Sequence, residues 1–304
     1  AVTSATPPPY SGPSSTIQLV RPPTQPSMAS PKLQRHQGLP PLNYGLYSPP
    51  LFELSSDCTT LKSTAPYLST SVAALVNLVR AQSNVPPKLQ MHITGGRGHR
   101  HDFALKINFI HLLVPDESTK ARMDYIRTVA AGETALRGGF KPSIKPDLGD
   151  TAGLEDWARR FVEDASPVKA FVLERTVVNM DTDWLEGQVR SLIASMGYKG
   201  TVHIKFPITH AKVIVQNPDR VNKFFTGLTT LFTGKSTYEV VKAVWPFASS
   251  RRDESGLASG QQRVCAVQSE EQWWREWAQP LRYAIASRRH GWVTVEDKLE
   301  VIME

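Results

Sequence analysis

Gly95-Gly96-Arg97-Gly98-His99-Arg100-His101-Asp102 packs two guanidinium groups, two imidazoles and a carboxylate into one short stretch. Glycines let backbone N–H groups face outward, so Arg97, His99, Arg100 and His101 around them suit an anion: a phosphate, a lipid head group or an acidic protein surface. With His92 on the preceding run, the same side chains also offer zinc donors at His92, His99, His101 and Asp102. The spacing argues against a metallo-hydrolase, because Asp102 follows His101 directly and the chain then continues as a strand. No metal is expected from it. Left to water alone, the cluster is simply a basic turn.

Gly234-Lys235-Ser236-Thr237 ends like a phosphate-binding P-loop, but the first glycine of that motif is replaced by Thr229, and a strand follows where a helix is required. Asp181-Thr182-Asp183 resembles the metal-binding D-x-D of sugar transferases and is fully explained as a helix cap. No nucleophile elbow, zinc-protease helix, dinucleotide fingerprint or separated Cys/His pair is present. The chain therefore reads as non-enzymatic and free of cofactors.

Three binding motifs remain. Pro7-Pro8-Pro9-Tyr10 fits the P-P-x-Y ligand of WW domains, whose aromatic groove takes a preformed polyproline helix at small entropic cost. Phe224, Phe225, Leu228, Leu231 and Phe232 lie between Arg220, Lys223 and Lys235, a pattern suited to an anionic membrane surface; packed inward, the same residues are a core helix. As an alternative, Arg97, Arg100, Arg251, Arg252, Arg288 and Arg289 could meet nucleic-acid phosphates, although nucleic acid is not the expected partner. Base stacking on the strands near 170 and 212 is not expected, since Phe171 is their sole aromatic side chain.

The elements that must position these groups follow from periodicity. Twelve of the 23 prolines fall in the first 50 residues among Ser, Thr and Gln, which predicts a disordered tail over 1–60. Residues 61–137 read as a helix from Tyr67, a β-hairpin with the basic cluster at its tip, and a helix over 118–136. A Gly/Pro linker over 138–150 follows. From 151 onward come a helix near 154–165, then strand 168–178, helix 183–197, strands 201–206 and 211–216, a short helix from Asp219, and strand 238–245. That order predicts an α+β fold with a ferredoxin-like βαββαβ sandwich over about 168–245. Two C-terminal helices, capped at Ser269 and Thr294, complete it, with Pro280 expected to kink the first.

The charge of +7 favours acidic partners. Cys58 and Cys265 stand far apart without zinc-like neighbours, which suits a reducing compartment, and no apolar run is long enough for a membrane span. The expected setting is intracellular, cytoplasmic or at a membrane surface.

The stretch from Gly95 to Phe103, the run Thr201-Val202-His203-Ile204-Lys205-Phe206-Pro207, and Tyr238 to Phe247 resemble a family of filamentous-fungal proteins of unknown function, some labelled ABC transporters. The likeness spans roughly residues 60–290 and ties no residue to a reaction. It implies a long apolar hairpin before the Tyr238 strand, where this chain has only Phe224 to Phe232, and without a P-loop it implies no transporter ATPase.

Overall fold

The computed structural model describes residues 40–98, 100–116, 122–139, 141–144, 148, 152–217, 236–249 and 263–303. The WW-type motif at Pro7–Tyr10, His99, the apolar stretch from Arg220 to Lys235 and the arginines at 251 and 252 lie outside them.

The described chain is α+β, with two sheets and six α-helices. The large sheet has seven strands: β1 (Glu53–Leu54), β2 (Thr60–Ser63), β5 (Tyr125–Thr128), β6 (Arg137–Gly139), β7 (Lys169–Val178), β10 (Lys212–Gln216) and β11 (Ser236–Pro246). Their order is β1-β2-β10-β7-β11-β5, with β6 also on β11. The small sheet has five: β3 (Lys88–Arg97), β4 (Arg100–Asn108), β8 (Thr201–Lys205), β9 (Ile208–Thr209) and β12 (His290–Trp292), ordered β12-β4-β3-β8 with β9 on β3.

The helices are α1 (Pro66–Thr70), α2 (Val72–Ser83), α3 (Leu154–Glu163), α4 (Thr182–Ser195), α5 (Glu270–Ala286) and α6 (Val295–Met303). Their starts are set by side chains that satisfy orphan N–H groups. Ser71 accepts from Ala74 N, Asp181 from Trp184 N at 2.9 Å, and Ser269 from Gln272 N at 3.2 Å. Helix α5 runs through Pro280 and buries Trp273 and Trp277, so these tryptophans are core.

Four expectations are corrected. The tail does not extend to residue 60: Leu42 and Tyr47 are buried, Tyr47 donates to Pro86 O at 2.7 Å, and β2 pairs with β10. Prolines there break helices, but the aromatic and leucine side chains between them still bury surface. Within the described part of the helix expected over 118–136, Tyr125–Thr128 form the strand β5 instead, because Tyr-Ile-Arg-Thr suits a pleated edge and β11 supplies a partner. Gly138 and Gly139, at the start of the expected linker, belong to β6 on β11.

The fourth correction concerns the βαββαβ sandwich. Strand β7 pairs with β10 and β11, as one sheet requires, but β8 leaves it and pairs antiparallel with β3. The segment Phe206 to Ala211 carries the chain between sheets, turning at His210 with φ of 54°. Strand alternation does not name a strand's partner, and that is why this split escapes the sequence.

The inner face of the small sheet is apolar: Met91, Ile93, Phe103, Leu105 and Ile107 are buried, and just past β4 Phe109 meets Trp273 edge-on at 4.9 Å. Residues between them point the other way. The large sheet buries Phe171 and Tyr238 against Phe161 of α3. No helix among the described residues is long and apolar enough to cross a membrane.

Candidate functional site: the outer face of the small sheet

Direct strand partners share a face, so the ladders define rows across the outer side. Trp292 of β12 stands opposite Lys106 of β4; Lys106 stands opposite His92 of β3; His92 stands opposite Lys205 of β8. The next row toward the tip is His290, Ala104, Thr94 and His203. Lys106, Lys205, His203, His290 and Trp292 are exposed, the indole at 44%. Val293, one residue on, is buried, which fixes Trp292 outward.

The rows lead to the hairpin tip. Arg97 pairs with Arg100 and Gly96 with His101, and all three charged or titratable side chains are exposed. Gly98 turns the chain at φ of 64°. Gly95 lies under the Phe103 ring, where a Cβ would sit 2.2 Å from the ring edge, so the bulge between Gly95 and Gly96 depends on the missing side chain.

The strands of this sheet carry Lys88, Arg97, Arg100, Lys106, Lys205 and four histidines, with Asp102 as the only acid. Asp102 is occupied, accepting from Tyr198 Oη at 2.8 Å. Burial, then this bond, raises the Tyr198 hydroxyl above its usual range, while Arg97 and Arg288 pull it down. No described carboxylate lies within ion-pair distance of Arg97, Arg100, Lys106 or Lys205. Burial and the Lys106 charge hold the His92 imidazole below its ordinary pKa, and its Nε2 lies 2.8 Å from Gln90 Oε1.

The predicted anion-binding residues Arg97, Arg100 and His101 are thus together at the tip, and His99 is outside the described residues. Among the described residues the zinc alternative does not assemble. His92 sits four strand positions from Gly96, the partner of His101, which is roughly 13 Å along the strand. Among the described residues no group of three metal-ligating side chains converges. Of the arginines assigned to nucleic acid, Arg288 is exposed and Arg289 is bound to Asp297. Phe171 is buried, so the large sheet offers no stacking face there.

Lys106, Lys205, His203, His290 and Trp292 were not marked by the sequence. Thr201, His203 and Lys205 alternate with Val202 and Ile204, a signal that was available. Strand β12, three residues between helices, offered none.

A cavity of about 680 Å³ opens at the C-terminal end of α3, lined by Asp156, Arg160, Asp164 and Tyr238 among others. Its polar floor is closed on itself. Asp164 accepts from Ser236 Oγ at 2.6 Å, Tyr238 Oη at 2.7 Å and Ser166 N at 2.8 Å. Burial alone would raise this carboxyl; the hydrogen bonds outweigh it and hold it at about 2. Ser236, the serine of the GKST stretch, is therefore structural.

No protein-family model, curated protein or solved structure matches this chain.

Proposed function

We propose that this protein is a non-enzymatic module that binds a phosphate-bearing polyanion on the outer face of the small sheet and its hairpin tip. The observation that carries the reading is the set of four exposed cations, Lys106 and Lys205 on the outer face and Arg97 and Arg100 at the adjoining tip, with no described carboxylate within ion-pair distance. Charges left without such partners keep their field for a ligand, and counterion release on binding supplies the driving force.

The Pro7–Tyr10 motif would make the module an adaptor by engaging a WW domain, and an intracellular setting suits both arms. A membrane surface is the other source of clustered phosphates; in that reading Arg220, Lys223, Phe224, Phe225, Leu228, Leu231, Phe232 and Lys235 would add an inserted anchor.

Retention on immobilised heparin tests the shared chemistry. The variant Arg97→Ser, Arg100→Ser, Lys106→Ser, Lys205→Ser should elute at clearly lower salt while melting at the same temperature as the wild type. Equal elution of the two would remove the face as the binding site.

A further inference from the structure

We infer that the polyanion is a single-stranded nucleic acid, lying along the row Lys106, His92, Lys205 with a base stacked on Trp292. This rests on the polyanion reading and narrows it.

Three observations select the ligand. The face is a sheet surface whose row from Trp292 to Lys205 crosses three strand spacings, roughly 14 Å, enough for two or three nucleotides of extended backbone. Apart from the small Ala104, its outer side chains are polar and basic except for one aromatic at the edge, so it holds no other large group to insert into a bilayer. That aromatic is exposed at 44%, is fixed outward by buried Val293, and has Lys106 Nζ 6.0 Å from its ring centroid.

A flat indole beside a cation is the element that single-strand surfaces use. The ring takes the face of a base while the ammonium meets the neighbouring phosphate. A duplex hides its base faces and would gain only the phosphate contacts. His92 between the cations, and Thr94 in the next row, bring hydrogen-bonding groups. Burial, then the Lys106 charge, holds the imidazole below its ordinary pKa, and the Thr94 hydroxyl lies 3.5 Å from His203 O.

The experiment compares the full chain with Trp292→Ala, Trp292→Phe and the double variant Lys106→Ala, Lys205→Ala. The probes are fluorescent oligo(dT) of about 12 nucleotides, a duplex of equal length, and phosphatidylserine liposomes, each over a salt series. The expected result is tighter binding of the single strand than of the duplex. Trp292→Ala should weaken it about tenfold without changing the salt slope, and Trp292→Phe should restore most of the affinity. The lysine double variant should flatten the slope by roughly 0.7 for each phosphate that no longer meets an ammonium group.

Equal binding of strand and duplex, or indifference to Trp292→Ala in a variant that melts normally, would overturn the single-strand inference and leave the polyanion reading in place. Binding to liposomes alone would overturn it in favour of a membrane. Failure of every probe, heparin included, would overturn both.

Discussion

The two sheets use the same basic residue types to opposite ends. On the large sheet, Lys242 lies 3.5 Å from Glu174 and 3.6 Å from Glu133, Glu133 also holds Arg127 at 2.8 Å, and Lys212 faces Glu239 at 3.9 Å. Lys169 is buried there and donates to the carbonyls of Phe161, Val162 and Asp164, closing the end of α3. On the small sheet the exposed cations face water. Exposed ion pairs add little stability, so the pairing on the large sheet matters less as glue than as cancellation of field. What the difference teaches is where the molecule keeps charge in reserve.

The most direct way to break this comparison is to reverse charge on each sheet in turn. Arg97→Glu, Arg100→Glu, Lys106→Glu, Lys205→Glu should cost about 100-fold or more in oligo(dT) affinity at low salt. Lys212→Glu with Lys242→Glu should change it by no more than about twofold, since those lysines are already neutralised. Comparable losses from both would show that only net charge matters.

A structural cation and a reserved one should also differ in stability. Lys169→Met strips three carbonyls of their shared donor and should destabilise the fold by about 2–4 kcal/mol in urea unfolding. Lys106→Met, on the open face, should stay within about 0.5 kcal/mol. A large effect at Lys106 would mean that it too is structural.

Acid should separate the sheets in two stages. His111 and His210 are held at about 4, each chiefly by burial, against 6.5 when exposed. Neutral imidazole is favoured in the fold, so their contribution is full above pH 6.5 and is lost as pH falls toward 4. His111 packs near Trp277 behind the small sheet and His210 lies at the crossing between sheets, so this stage touches both. The second stage includes carboxylates of the large sheet. Glu133, held at about 2 chiefly by Arg127, and Asp164, also about 2, lose their contribution as pH falls from their unfolded values of 4.5 and 3.8. The urea midpoint followed against pH should show both stages, and Glu133→Gln should shrink only the lower one.

Much of this was legible in the sequence wherever a period or a cap was enough. The alternation of Met91 and Ile93, then of Phe103, Leu105 and Ile107, marks the hairpin, and Ser269 marks the start of α5. Partner choice was not legible: Val202 and Ile204 look the same whether β8 joins β10 or β3. Nor was the open charge of the site. Lys106 and Lys242 both sit on strands and read alike until tertiary structure brings Glu133 and Glu174 to one of them. Tyr125 to Thr128 reads as helix from sequence because a short helical pattern and an edge strand share residue types, and pairing with β11 decides between them.

The smallest effects sharpen the comparison at the tip, where two glycines serve different purposes. Gly95→Ala would set a methyl 2.2 Å from the Phe103 ring. The ring must then leave the bulge, at a cost of about 1–3 kcal/mol, and the register that brings Arg97 opposite Arg100 moves with it. Affinity for oligo(dT) should fall along with the melting temperature. Gly98→Ala meets no atom within 4 Å, but its φ of 64° leaves a left-handed strain of about 1 kcal/mol. That strain is confined to the turn, so melting should drop slightly while the salt slope of binding stays the same. If Gly98→Ala changed that slope instead, the turn's own backbone N–H groups would be part of the phosphate contact, and the site would extend from the face of the sheet around its end.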